Sequence, residues 1–127
     1  MNDNIIRVLL VNPGEAPKTI ELENTLDSMQ EAVEGYIEEI YIADDIALIC
    51  NEEGKINSLP LNRAIYDDKG KMVDIIAGSF FIVYAPSNSE KFLSLSDEQI
   101  RKYEDKFKYP EYFFKVDGEI VVVKSKD

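Results

Sequence analysis

Two β-rich apolar runs, residues 36–42 and 46–50, flank the short polar break Ala43-Asp44-Asp45 and predict a hairpin at the centre of the molecule. Residues 46–50 are apolar at every position, which suits a strand covered on both faces. Residues 5–11 are almost as unbroken and read as an inner strand. Residues 19–23 alternate, with Ile20 and Leu22 on one face and Thr19, Glu21 and Glu23 on the other, so a half-exposed strand pairs with the first across the turn at 12–17. Leu26, Met29 and Val33 then recur at i, i+3 and i+7, predicting an amphipathic helix capped by Asn24 or Thr25 and closed by Gly35 as its C′ residue. The order strand, strand, helix, strand, strand is compatible with a β-grasp-like arrangement.

Further along, residues 51–55 and 67–71 repeat one chemistry, Asn or Asp first and Gly fourth, and both are expected to be hairpin loops with the glycine left-handed. Between them, residues 56–65 fit neither strand nor helix cleanly, and Pro60 is expected to open a short helical turn. Residues 73–77 and 79–85 flank Gly78, and Phe80-Phe81-Ile82-Val83-Tyr84 is the strongest strand signal in the chain. Ser94 or Ser96 caps a second helix with Ile100, Tyr103 and Phe107 on its inner stripe, ended by Tyr109-Pro110. Asp117-Gly118 joins two strands of a terminal hairpin through a type I′ loop. The predicted fold class is α+β, a mostly antiparallel sheet built from hairpins with two short amphipathic helices and a C-terminal β-hairpin. That hairpin is unusually apolar, and it is expected to join the main sheet or to bury itself against another copy in a homodimer.

Length allows one domain, 1–127, with a core large enough to fold without disulfides. The single cysteine, Cys50, lies in an apolar run and reads as a small core residue, since no histidine exists to activate it as a nucleophile. No long apolar segment and no leader pattern is present, so neither a membrane partner nor export is expected, and the cytoplasm is the expected compartment.

Charge is unevenly distributed. The net charge is −11, and residues 1–60 hold thirteen acids against three bases. Direct binding to nucleic acid through that half is excluded by the lack of Lys and Arg for phosphate contacts. A basic protein partner, such as one that normally binds DNA, is permitted. The carboxylates Glu38, Asp44, Asp45, Glu52 and Glu53 are the candidate partner-binding residues. Where a small ligand is considered instead, Asn57, Asn62 and Arg63 are the polar groups that would meet it, although a lone arginine among carboxylates more often pairs within its own chain.

The chain holds no histidine, which removes the commonest general base and metal ligand. Phosphate-binding glycine loops, nucleophile elbows and paired-cysteine zinc spacings are absent too. The acidic pairs are sequence neighbours, which point to opposite faces of a strand and do not converge as acid and base. An EF-hand's alternating ligands are missing from the glycine turns. No catalytic residue, metal or cofactor is therefore expected.

Between residues 5 and 111 the chain resembles a family of small proteins known as a domain of unknown function, common in Gram-positive bacteria, their phages and integrative elements. The likeness is carried by Arg7-Val8-Leu9-Leu10-Val11-Asn12-Pro13-Gly14, Gly35-Tyr36-Ile37-Glu38, Cys50-Asn51-Glu52-Glu53-Gly54-Lys55, Leu59-Pro60-Leu61-Asn62-Arg63-Ala64, Ile76-Ala77-Gly78-Ser79-Phe80-Phe81-Ile82-Val83 and Leu95-Ser96-Asp97-Glu98-Gln99-Ile100. It implies a mobile-element setting and brings no catalytic residues. It also divides the domain into a family-like core, 1–111, and a hairpin extension, 112–127. Two functional classes follow: a non-enzymatic interaction protein, in its sharpest form an acidic DNA mimic that blocks a DNA-binding or restriction protein, or a protein that captures a small, nucleotide-like ligand.

Overall fold

The computed structural model describes residues 4–126. In chain order the elements are β1 (Ile5–Val11), β2 (Lys18–Glu23), α1 (Leu26–Val33), β3 (Ile37–Ala43), β4 (Ile46–Asn51), β5 (Leu61–Tyr66), β6 (Met72–Ala77), β7 (Phe80–Tyr84), α2 (Asp97–Lys106), β8 (Glu111–Val116) and β9 (Glu119–Lys124). Five strands form the main sheet in the order β2-β1-β7-β4-β3, and β5-β6 and β8-β9 form two further pairs. Every pairing is antiparallel. The fold is α+β with mostly antiparallel sheets, two helices and a C-terminal hairpin.

Alternation along the inner strands gives the main sheet two apolar faces. On one, Val8, Ala47, Ile49, Phe81 and Val83 meet Met29 and Val33 of α1. On the other, Leu9, Val11, Leu48, Phe80 and Ile82 meet Ile65 and Ile76 of the β5–β6 pair and Ile100, Tyr103 and Phe107 from the α2 region. Phe80 and Phe107 pack edge to face, their centroids 5.3 Å apart. Burial of an aliphatic side chain such as Val33 stabilises the fold by about 1.5–3 kcal/mol, which is why an eight-residue helix too short to persist alone is held here. Thr25 caps α1 by accepting the Ser28 N–H, and Ser96 caps α2 in a reciprocal capping box with Gln99.

The hairpin of β3 and β4 forms, but it lies at an edge. Strand β7 occupies the middle, antiparallel to β1 and to β4. It separates the β1–β2 hairpin from the β3–β4 hairpin. The entirely buried run Phe80–Val83 is the sequence expression of that central place.

Three turns differ from their sequence reading. Residues 51–55 do not close a hairpin; they begin the connection that leaves β4 for the second sheet, and only Asp67 to Lys71 closes one, between β5 and β6. Gly54 accordingly has an ordinary φ, and what it supplies is room: a Cβ there would stand 2.6 Å from the Ala77 carbonyl oxygen. The left-handed residue closing α1 is Glu34 (φ 64°), while Gly35 gives space to the Asn51 amide, which donates to the carbonyls of Val33 and Glu34 at 3.1 and 3.2 Å. Finally, the helical turns fall at residues 52–58, before Pro60, and residues 61–66 are the regular strand β5.

Candidate functional site

Strand β3 has β4 on one side and no strand on the other, so its outer backbone edge is free among the described residues. Of the five carboxylates expected to bind a partner, Glu38 lies on this strand, and Asp44, Asp45, Glu52 and Glu53 lie in the segments at its two ends. Glu38 and its neighbour Glu39 are exposed on β3, on opposite faces of the strand. Asp44 and Asp45 form the β3–β4 turn at one end, with Asp45 left-handed (φ 64°). At the other end Glu52 donates its N–H to Tyr36 O at 2.8 Å, and Glu53 donates to Asn51 Oδ1 at 2.8 Å, so the acids there extend the β3–β4 ladder by one step. Glu34, exposed at the end of α1, joins the same end. Residues 19–54 contain no lysine or arginine, and this base-free run is the signal that marks Glu34 and Glu39 as members of the edge along with the acids singled out from sequence.

A seven-residue strand extends about 23 Å, and the turns lengthen the acidic row to about 25–30 Å. The Tyr41 phenol is held above its ordinary pKa first by its hydrogen bond to Glu39 and further by burial and the charges of Glu39 and Asp45. Two bases stand beside these acids: Lys55, paired with Asp74 at 2.7 Å, lines a cleft with Glu38 and Glu52, and Lys91 borders a hollow with Glu39 and Tyr41. Charges on an edge strand also discourage another strand from adding to it, so whatever docks here is drawn by side chains more than by backbone pairing.

Behind the edge, between β4 and β6, lies a cleft of about 310 Å³ lined by Glu38, Cys50, Glu52, Lys55, Asp74 and Ile76. Burial pushes the Cys50 thiol up to about 12, with Glu38 and Asp74 adding to the shift and Lys55 opposing it. The thiol donates to Glu38 O and Oε1, both at 3.9 Å, and it remains a protonated wall of the cleft at neutral pH. Among the described residues no group of three or more His, Cys, Asp or Glu side chains is arranged to hold a metal ion.

The three residues named for a small ligand lie in different surroundings. Asn57 is exposed in the turns after β4, whereas Asn62 and Arg63 are wholly buried. Asn62 donates to Val11 O and Gly78 O at 3.0 and 2.8 Å. Arg63 donates to Glu15 O at 2.7 Å, to Asn62 Oδ1 at 2.8 Å and to Phe107 O at 2.9 Å. Its pKa is lowered by burial, with the charge of Glu111 acting the other way. Both side chains thus fasten β5 to its surroundings.

A family model matches residues 6–108 of the chain. The chain is a member of the domain of unknown function DUF3846. The DUF3846 region spans the five-stranded sheet, the β5–β6 pair and both helices, and therefore includes the whole acidic edge; the β8–β9 hairpin follows it. No curated protein and no solved structure matches the chain. Among the described residues, no helix of this DUF3846 member is long and apolar enough to cross a membrane.

Proposed function

We propose that this chain is a non-enzymatic interaction protein that occupies a basic protein partner through the edge of β3, in the manner of a DNA mimic. The observation that carries the reading is that Glu34, Glu38, Glu39, Asp44, Asp45, Glu52 and Glu53 lie on the outer strand β3 and at its two ends, in a stretch of chain that holds no lysine or arginine. A partner built to neutralise phosphates with Lys and Arg finds there a row of carboxylates, and screening by salt weakens the contact as it weakens contacts to DNA. The chain's setting, on this reading, is a phage or mobile element of a Gram-positive bacterium, and the partner is a DNA-binding or restriction protein in the cytoplasm. Capture of a small nucleotide-like ligand in the cleft behind the edge is the second reading, favoured by its volume of about 310 Å³. Its carboxylates Glu38, Glu52 and Asp74 repel an anionic ligand, so the partner reading is preferred.

The test is capture from the cells that carry the protein, using the native chain and a variant with Glu38, Glu39, Glu52 and Glu53 replaced by Gln. The native chain retains a basic protein that elutes with salt and whose binding to duplex DNA is inhibited by the native chain. The neutralised variant does neither. Retention of the same protein by both, or retained proteins that bind DNA undisturbed, would refute the proposal.

A further inference from the structure

The β8–β9 hairpin is apolar on its outer side. Tyr112 stands opposite Val123, Phe114 opposite Val121, and Val116 opposite Glu119, and directly opposed residues of an antiparallel pair share a face. The five apolar members of this face are each 41–55 % exposed. The other face, carrying Glu111, Phe113 and Val122, turns inward at its base, where Glu111 is buried and β8 packs beside β5. A two-stranded sheet with a solvent face normally puts polar residues there. Here the arrangement is reversed. The loop residues Asp117 and Gly118, both at positive φ, fix the register that produces it.

We infer that this face is a self-association surface, occupied by the same face of a second copy of the chain. Three observations select that occupant. The exposed parts of Tyr112, Phe114, Val116, Val121 and Val123 amount to roughly 430 Å² per copy, so a symmetric pair covers about 850 Å², the size of a weak, reversible interface. Charge selects this face over the rest of the chain: residues 112–126 hold Lys115, Lys124 and Lys126 against Asp117 and Glu119, whereas two copies meeting through residues 1–60 would oppose thirteen acids to thirteen. Shape selects the geometry. A two-fold axis running along the strands, between the two layers, places β8 of one copy over β9 of the other. Because Tyr112 and Val123 share a level, as do Phe114 and Val121, each aromatic ring then meets a valine of the partner copy and the large and small side chains interdigitate.

This inference does not depend on the acidic edge and is tested separately. Sedimentation equilibrium of the full chain is measured from nanomolar to high micromolar concentration, alongside Phe114→Glu and Val121→Glu, with far-UV circular dichroism to show that each is folded. The native chain sediments at twice its 14.5 kDa mass, and either charge weakens association at least about thirtyfold, as expected at the centre of an apolar interface. In addition Phe114→Trp gives the chain its single indole, whose emission shifts to the red as the dimer is diluted. A monomer at every concentration, a dimer indifferent to both charges, or indole emission independent of concentration in the Phe114→Trp variant overturns the inference. So does a monomeric chain whose hairpin face captures a different protein.

Discussion

The carboxylate of Glu111 accepts the backbone N–H of Ala64 at 2.9 Å inside the protein, tying the first residue of β8 to the middle of β5. Replacing Glu111 by Ala leaves that N–H buried without a partner, a loss of about 1–3 kcal/mol, whereas Gln keeps an oxygen in place and costs less. Urea denaturation ranks the variants native, Gln, Ala, and hydrogen exchange of the β8 and β9 amides speeds up most in Glu111→Ala.

Arg63 presents a different energetic problem, since its guanidinium is fully buried among oxygens of Glu15, Asn62 and Phe107 and has no carboxylate within salt-bridge distance among the described residues. Arg63→Ala removes the donor from the carbonyls of Glu15 and Phe107 and opens a cavity, and it destabilises by about 3 kcal/mol or more. Lysine restores the charge without the fork that reaches several oxygens at once, so Arg63→Lys is also destabilised, though less. Thermal unfolding checks the order. The folded fraction of either variant keeps the acidic edge intact and retains whatever partner the native chain retains.

Why Arg63 was legible only as a polar candidate follows from its neighbours. Apolar alternation reports burial of apolar strands and helix stripes, and it located β1, β2, both helices, the buried run of β4 and the terminal hairpin. It does not report a polar residue buried because distant carbonyls need donors, and the oxygens of Glu15 and Phe107 lie 48 and 44 positions away. The same limit hid the strand at residues 61–66, whose buried members include Asn62 and Arg63. Strand order was equally out of reach, because two hairpins and a later apolar strand are consistent with several sheets; burial of every residue from Phe80 to Val83 fits any inner position. The acidic edge was half legible. Its residues stand in the sequence as separate pairs, and they become one row only because β3 is an outer strand and its turns lie at its two ends.

Gly54 distinguishes a turn glycine needed for its φ from one needed for its size. With an ordinary φ, it loses nothing in backbone conformation on becoming Ala, yet the new methyl meets the Ala77 carbonyl oxygen at 2.6 Å. Backbone on both sides must give way, at a cost of about 1–3 kcal/mol. Gly14, with nothing within 4 Å of an added methyl but a φ of +76°, is strained by Ala for the other reason. Far-UV melting curves show Gly54→Ala destabilised, and Gly54→Ser is at least as unstable, whereas Gly14→Asn, which tolerates the left-handed region, is nearly native.

Alkaline pH acts on buried weak acids. The Cys50 thiol stands at about 12 in the folded chain against a value of 9.0 when free, and the phenols of Tyr103 and Tyr66 are raised as well, both first by burial. A group whose folded pKa is raised binds its proton more tightly in the native state, so its stabilising effect is complete below the unfolded pKa and disappears as pH climbs through the folded one. Stability is therefore level up to about pH 9 and falls between pH 9 and 12. Cys50→Ala, having no thiol to ionise, shows a shallower fall over the same interval. Native Cys50 also resists alkylation at pH 8, where only about one thiol in ten thousand is ionised, and reacts at once in urea.

The acidic edge carries its own signature in salt. Seven carboxylates along β3 and its ends repel one another in the folded state, and they are farther apart on average once the chain unfolds. At an ionic strength of 0.01 M the screening length, about 30 Å, spans the whole row; at 0.1 M it is about 10 Å and reaches only near neighbours. The native chain consequently melts at higher temperature in 0.1 M salt than in 0.01 M. Glu38→Gln with Glu39→Gln removes two charges from the middle of the row, raises the melting temperature in low salt by about 3 °C and reduces the increment produced by added salt. Asp68→Asn with Glu98→Gln removes the same number of charges from positions near Lys69 and, one helical turn on, Lys102, where opposite charge already offsets them. That control leaves the salt increment unchanged. Equal effects of the two pairs would mean that net charge alone, and not its arrangement on the β3 edge, governs the response.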